Sequence, residues 1–349
     1  MIKIDKNNGY LDEFINKVEV KVEKNLTLII NEKIILGNKS DVKTPKNHSK
    51  YIYVTEKGKE KQQLIKYKIS LPKELYCLRY LRNNLNSILR ADIKQQRNYI
   101  LQILLKFKMD SKSNLFEIIK YIFIEKGYES IISKSKKKEI AYKLVQSIGV
   151  NSCPYCNRNY ISVISDTNTK KNITRPQLDH FFPKDTYPFL ACSFYNLIPS
   201  CSTCNHMKSN KNAYLENLVS PYEMTNNTFK FSYTLNNTDI LNIGIQDTSK
   251  YDYKDSINII FDKKNETNEK YFELEKLYNQ EHRDVVIELL VKKAYYPQSY
   301  INELSSSFGF GQDEIYRFLF SNYNQDDDLH KRPLSKLVRD ISEELGLLK

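Results

Sequence analysis

Two C-x-x-C pairs constrain this chain more than any other feature: Cys153-Pro154-Tyr155-Cys156 and Cys201-Ser202-Thr203-Cys204, with residues 157–200 between them. Two residues between thiolates let both sulfurs of one turn reach a single ion, and two such turns complete a tetrahedral four-cysteine zinc site. Four thiolates leave no open coordination position, so this zinc is expected to be structural, its binding energy part of the folding energy. Cys77 and Cys192 stand alone in apolar surroundings and read as buried thiols. The first residues, Met1 to Asp5, carry no hydrophobic signal core. Paired cysteines in such a chain point to metal ligation and a cytoplasmic protein, not to a disulfide framework.

Composition adds less. With 349 residues, 40% hydrophobic and 28% charged, the chain can bury a sizeable core. Its net charge of +12 admits a polyanionic partner such as nucleic acid. The lysines are spread along the whole chain, however, which is rich in Asn, Ile and Tyr as well, so the charge aims at no particular ligand. The most apolar early stretch, Leu26 to Leu36, is interrupted by Asn31, Glu32 and Lys33 and cannot span a bilayer.

Hydrophobic periodicity divides the chain in four. Residues 1–70 mix short strand-like runs with polar turns such as Asp41 to Lys50, a small strand-containing region. Residues 71–149 are helical: Leu78, Leu81, Leu85, Ile88 and Leu89, then Ile100, Leu101, Leu104 and Leu105, recur at i, i+3, i+4 spacing. A further helix starts at Ser113-Asn114 and closes near Gly127, and another covers about 136–148 before Gly149. Residues 150–215 concentrate cysteines, aromatic residues, prolines and metal-capable side chains. Residues 216–349 begin with three alternating stretches, 228–235, 239–246 and 256–262, that read as a small antiparallel sheet. Helices follow, through Leu274, Leu277 and Val285 to Leu290, then over 297–306, 312–321 and 334–345.

Between the cysteine pairs lies Gln177-Leu178-Asp179-His180-Phe181-Phe182-Pro183-Lys184, then Asn196-Leu197-Ile198-Pro199; Asn205 follows the last cysteine directly. Lys208 comes one helical turn later. Cys153, Cys156, Asp179, His180, Asn196, Cys201, Cys204 and Asn205, in that order, resemble an HNH nuclease of the ββα-metal (His-Me finger) superfamily, in the variety with a four-cysteine zinc. The resemblance covers roughly 150–212. A second likeness, around Pro188 to Pro199 and His330-Lys331-Arg332-Pro333-Leu334, is to larger bacterial HNH proteins, some found in anti-phage defence beside an ATPase.

The resemblance implies an α+β fold: a ββα-metal HNH core over 150–215, flanked by helical regions and a small antiparallel sheet. Its first strand would run from about Tyr160 to Ile164, its second would end near Leu178 to His180, and its helix would start near Ser202. Asp179 and Asn205 would offer oxygens to one divalent cation, Mg²⁺ or Mn²⁺. His180 would be the general base, and Asn196 would fasten the loop that holds it. If His206 rather than Asn205 were the ligand, a transition metal would fit better. Lys208, Lys211 and Arg158 would bind phosphates. The substrate implied is double-stranded DNA, cleaved in defence against phage or other foreign DNA, with an ATPase protein as partner and no membrane involved.

Two other readings stand beside this one: a non-catalytic zinc-ribbon module that binds nucleic acid or a partner, and a nuclease that cuts RNA. His48, His282 and Asp326-Asp327-Asp328 read as ordinary solvated or packed groups. His330, set beside Lys331, Arg332 and Pro333, is a candidate contact to DNA or a partner.

Overall fold

In a computed structural model of the chain, residues 1–36, 51–56, 59–133, 139–166, 172–225, 228–237, 253–261 and 266–347 are described. Their contacts sort into two units, each built from separated stretches of sequence. A helical unit comprises Gly9–Leu144 and His180–Leu197; a knuckle unit comprises Met1–Asn8, Val145–Asp179 and Ile198–Lys349. The cysteine-rich segment therefore contributes to both.

The helical unit opens with α1 (Leu11–Glu32), where short strand-like runs were expected. Phe14, Ile15, Val18, Val22, Leu26, Ile29 and Ile30 are all buried, a stripe at helical spacing that β-branched residues between them disguise as strand. Strand character begins only at β1 (Ile34–Leu36), followed by β2 (Tyr51–Glu56) and β3 (Lys59–Lys68). They form an antiparallel sheet in the order β1-β3-β2. The polar stretch Asp41 to Lys50, with His48, lies outside the described residues.

The expected helical stripes appear as α2 (Pro72–Asn83), α3 (Leu85–Arg90) and α4 (Ile93–Phe107). Asp92 and Gln95 cap α4 reciprocally, each side chain accepting the other's backbone N–H at 2.9 Å. Ser113 likewise caps α5 (Asn114–Lys120), accepting from the Phe116 amide at 3.2 Å. This helix does not close at Gly127. It runs on as a π-helix over Tyr121–Ser133, and the glycine serves close packing instead: a Cβ there would lie 2.8 Å from the Cys192 sulfur. After α6 (Glu139–Ile148), Gly149 turns the chain with φ +71°. Cys77 and Cys192 are buried in this unit, which pushes both thiols up to about 12.

In the knuckle unit β4 (Ile164–Ser165) pairs antiparallel with β5 (Asn172–Thr174), and β6 (Gln177–His180) pairs with β7 (Leu197–Ser200). The hairpin therefore departs from the expected one: β6 takes its partner from the Leu-Ile-Pro run after Asn196, and the 160–164 stretch contributes a lone bridge, Ser152 to Tyr160, before β4. Next come α7 (Ser202–Lys208), then β8 (Phe231–Leu235) and β9 (Ile257–Phe261), antiparallel over their whole length. The 239–246 stretch falls outside the described residues. The helices α8 (Glu266–Tyr271), α9 (Leu274–Glu281), α10 (Arg283–Tyr295), α11 (Gln298–Phe308), α12 (Gln312–Phe320) and α13 (Ser335–Glu344) complete the unit. Phe231 packs its ring at 4.7 Å from Phe261 and 4.6 Å from Tyr278. On α13 the buried Asp340 accepts from Lys336 Nζ at 2.7 Å, Arg339 Nη2 at 3.0 Å and the Phe231 amide at 3.0 Å. Among the described residues no helix is long and apolar enough to cross a membrane.

Candidate functional site

The sulfurs of Cys153, Cys156, Cys201 and Cys204 all lie within 4.8 Å of one another, and all four residues are buried. Cys156 and Cys201 are 3.9 Å apart. A zinc ion with Zn–S bonds of about 2.3 Å sets its tetrahedral sulfurs about 3.8 Å apart, so the cluster fits that ion. Burial pushes the Cys153 thiol well above its ordinary range, so four thiolates here call for a cation to offset their charge. Backbone amides already point at sulfur: Arg158 N to Cys156 at 3.4 Å, Cys201 N to Cys153 at 3.4 Å and Cys204 N to Cys201 at 3.5 Å. Among the described residues these four form the one group of three or more His, Cys, Asp or Glu ligands.

Asp179 sits on β6, only 4% exposed. Both halves of the knuckle reach it. The Tyr155 hydroxyl, from inside the first C-x-x-C, donates to Oδ2 at 2.7 Å. Lys208 Nζ, from the last turn of α7, donates to Oδ1 at 3.1 Å and is wholly buried. Tyr155 is held in turn by stacking on Phe272 at 4.6 Å. Burial and then the charge of Asp179 push up the phenol of Tyr271, whose buried hydroxyl has no hydrogen-bond partner among the described residues.

Of the expected cation ligands and phosphate contacts, Asn205 on α7 donates from Nδ2 to Gln177 Oε1 at 2.7 Å, so its own oxygen is the atom it has to offer a cation. His206, next along, is exposed. Lys211 lies 4.9 Å over the Tyr271 ring and donates to the Tyr271 carbonyl. Arg158, expected to bind phosphate, faces inward with its side chain 7% exposed: its guanidinium pairs with Glu281 and donates to His282 Nε2 at 3.0 Å. Lys208, also expected to bind phosphate, is engaged by Asp179.

Consecutive strand residues alternate faces, and His180 accordingly keeps different company from Asp179, with Ala191 and Tyr128 of the helical unit. Its Nε2 lies 3.0 Å from the Ala191 carbonyl. A carbonyl only accepts, so Nε2 carries the hydrogen and the neutral ring's lone pair sits on Nδ1. The Tyr128 ring meets the imidazole edge-on at 4.4 Å. Asn196, wholly buried, ties down the loop after His180: Oδ1 accepts from Phe182 N at 2.7 Å, and Nδ2 donates to Phe182 O at 3.1 Å and Leu190 O at 3.0 Å.

One residue that organises the knuckle turn was not singled out from the sequence. Asn157, just after the first C-x-x-C, takes a left-handed backbone at φ +54°. Its Nδ2 donates to Ser152 Oγ, Leu329 O and Arg332 O; its Oδ1 accepts from Lys336 N and its carbonyl from Leu334 N. The Ser152 hydroxyl donates to the His330 carbonyl at 3.0 Å. The His330-Lys331-Arg332-Pro333 segment is thus clamped onto the knuckle turn through its backbone. The one signal in the sequence was an Asn where the turn demands a residue that tolerates positive φ. Asp326 and Asp328 pair with Arg339 and Lys331, an ordinary charged loop.

These features define a protein with a buried four-cysteine cluster that can hold a metal ion and, bonded to Tyr155 and Lys208 beside it, a buried carboxylate. Over 92 residues the chain is 32% identical to the Septu protein PtuB of Bacillus thuringiensis, a stretch covering 26% of this chain and 32% of that protein. The chain thus spans about a third of that relative's length. No family model matches the chain, and no solved structure matches it.

Proposed function

We propose that the chain is a metal-dependent endonuclease of the HNH type, cutting DNA in defence against phage or other foreign DNA together with a protein partner, an ATPase. The observation that carries this reading is Asp179. A buried carboxylate, held by a residue from each half of the knuckle and followed directly by histidine, is costly for a purely structural zinc module. The likeness to a Septu protein supports the defence role and the partner.

In this reading the zinc fixes the loop and α7, and the chemistry belongs to Asp179, Asn205 and His180. Mg²⁺ is commonly held by one or two protein oxygens plus water and substrate phosphates, which suits a donor set of one carboxylate and one amide. Such a cation, bound there, would neutralise charge on the phosphate under attack. His180 Nδ1 takes the proton from water while the Ala191 carbonyl holds the ring's tautomer. Asn196 keeps the His180 loop in place.

One observation favours a non-catalytic zinc module instead: Asp179 already has a cationic partner in Lys208. Labelled DNA and RNA incubated with Mg²⁺, Mn²⁺ and Zn²⁺ separate the readings. The nuclease predicts cutting that His180→Ala and Asp179→Ala abolish while bound zinc persists, whereas Cys201→Ser loses the zinc and the knuckle fold. Cutting by His180→Ala at the wild-type rate would remove the histidine from the mechanism; no cutting of any substrate by the wild type leaves the binding module. Cleavage of RNA alone would reassign the substrate.

A further inference from the structure

The knuckle unit carries a second set of groups that this chemistry does not use. A cavity of ≈ 350 Å³ is lined by Arg317, Phe318, Tyr323 and Arg332, among others. Arg317 lies over the Tyr323 ring at 5.0 Å, and Lys331 at 5.4 Å. Phe318 is 61% exposed; its ring is 6.4 Å from Phe310, which stacks at 5.8 Å on Phe308, itself 67% exposed. The carboxylate of the lining, Glu314, is turned to the start of its own helix, where it accepts from the Gly311 amide at 2.9 Å.

The loop under the cavity is anchored: Arg332 donates to the Ser321 carbonyl, and its own carbonyl accepts from Asn157 of the knuckle. Two exposed rings, Phe308 and Phe318, with the half-buried Phe310 and Tyr323 between and beside them and two guanidinium groups, match the needs of a single nucleic-acid strand. Its bases stack on aromatic rings and guanidinium planes, and its phosphates are met by positive charge. A protein partner would use the rings but has no comparable need for the arginines.

We propose that this face binds single-stranded nucleic acid, with one unpaired base in the cavity against Phe318 and Tyr323 and its phosphate on Arg317 and Arg332. The proposal deepens the nuclease reading, on which its purpose rests, by adding recognition of an unpaired stretch; the binding itself is measured without cutting.

Fluorescence anisotropy of a labelled oligothymidylate of about twenty nucleotides, mixed with the full chain without added divalent cation, tests it. The wild type is expected to bind the strand more tightly than a duplex of equal length. Phe318→Ala, and Arg317→Ala with Arg332→Ala, are each expected to weaken binding about tenfold, with Arg317→Lys in between. All three side chains are exposed, and zinc content reports that the variants fold. Absence of strand binding by the wild type overturns the proposal and hands the face to a protein partner. Equal affinity for duplex, or unchanged affinity in Phe318→Ala, overturns it too. Strand binding with the expected losses, in a protein that cuts nothing, upholds it while the enzyme reading fails.

Discussion

Lys208 and Asp179 form an ion pair at 3.1 Å with both side chains almost wholly buried. Taking one partner away strands the other in a dry environment. Lys208→Met is therefore expected to lower stability by about 3 kcal/mol, with Asp179→Leu added in the same chain recovering most of the loss. Urea denaturation of the two single variants and the double variant measures this coupling. His282 makes a pH prediction. Burial, and then the Arg158 guanidinium, hold its pKa below 6.5, and its Nε2 must stay unprotonated to accept from Arg158. As pH falls the unfolded chain binds the proton first. Stability present above about pH 6.5 is lost as pH drops through that value towards the lower folded pKa. Melting temperature should fall between pH 7.5 and 5.5, and His282→Gln, which keeps an acceptor, should flatten the profile. His330, also lowered by burial and by Lys331, leaves a residual slope of the same sign. At this scale the sequence spoke clearly where chemistry demands spacing, as in the four cysteines. It could not say that Lys208 faces Asp179 or that Arg158 faces Glu281, because a basic side chain looks the same facing phosphate or facing an acid.

Elements were legible where one period dominates. The helices from α9 to α13 lie close to where their apolar stripes place them, because exposed polar faces separate the stripes cleanly. The helix α1 was hidden by Val18, Val22 and Ile29-Ile30, β-branched residues that tertiary burial keeps helical. Pro199 concealed β7, since a proline interior to a run argues against a strand. Gly127 is the sharpest case: a glycine near a helix's expected end signals termination, yet here it admits a sulfur. Alanine is the better helix former, so an exposed Gly127 would gain from the change. With the Cys192 sulfur 2.8 Å and the Ile122 carbonyl 3.1 Å from the new Cβ, Gly127→Ala is instead expected to cost about 1–3 kcal/mol. Adding Cys192→Ala should restore part of it, read as recovery of melting temperature.

At the scale of the molecule, neither unit is a continuous run of sequence, and the clamp on Asn157 is one reason the knuckle unit gathers distant stretches. Nothing local to 153–157 announces that its partner lies at 329–336, so this long-range link could not be read from spacing. Asn157→Ala removes four side-chain hydrogen bonds and places alanine in a left-handed backbone. A loss of about 3 kcal/mol is expected, with Asn157→Gly recovering only the backbone share; thermal unfolding of both variants checks the division.

The same link sets an order in time. A ribosome that has just released Cys204 holds every sulfur of the cluster, yet the stretch that closes over Asn157 is still unmade. At roughly 5–20 residues per second, it emerges about ten seconds later. Through that interval the nascent protein has its metal-gathering loop without its latch, so the knuckle turn is fastened only after residues 329–336 have been made.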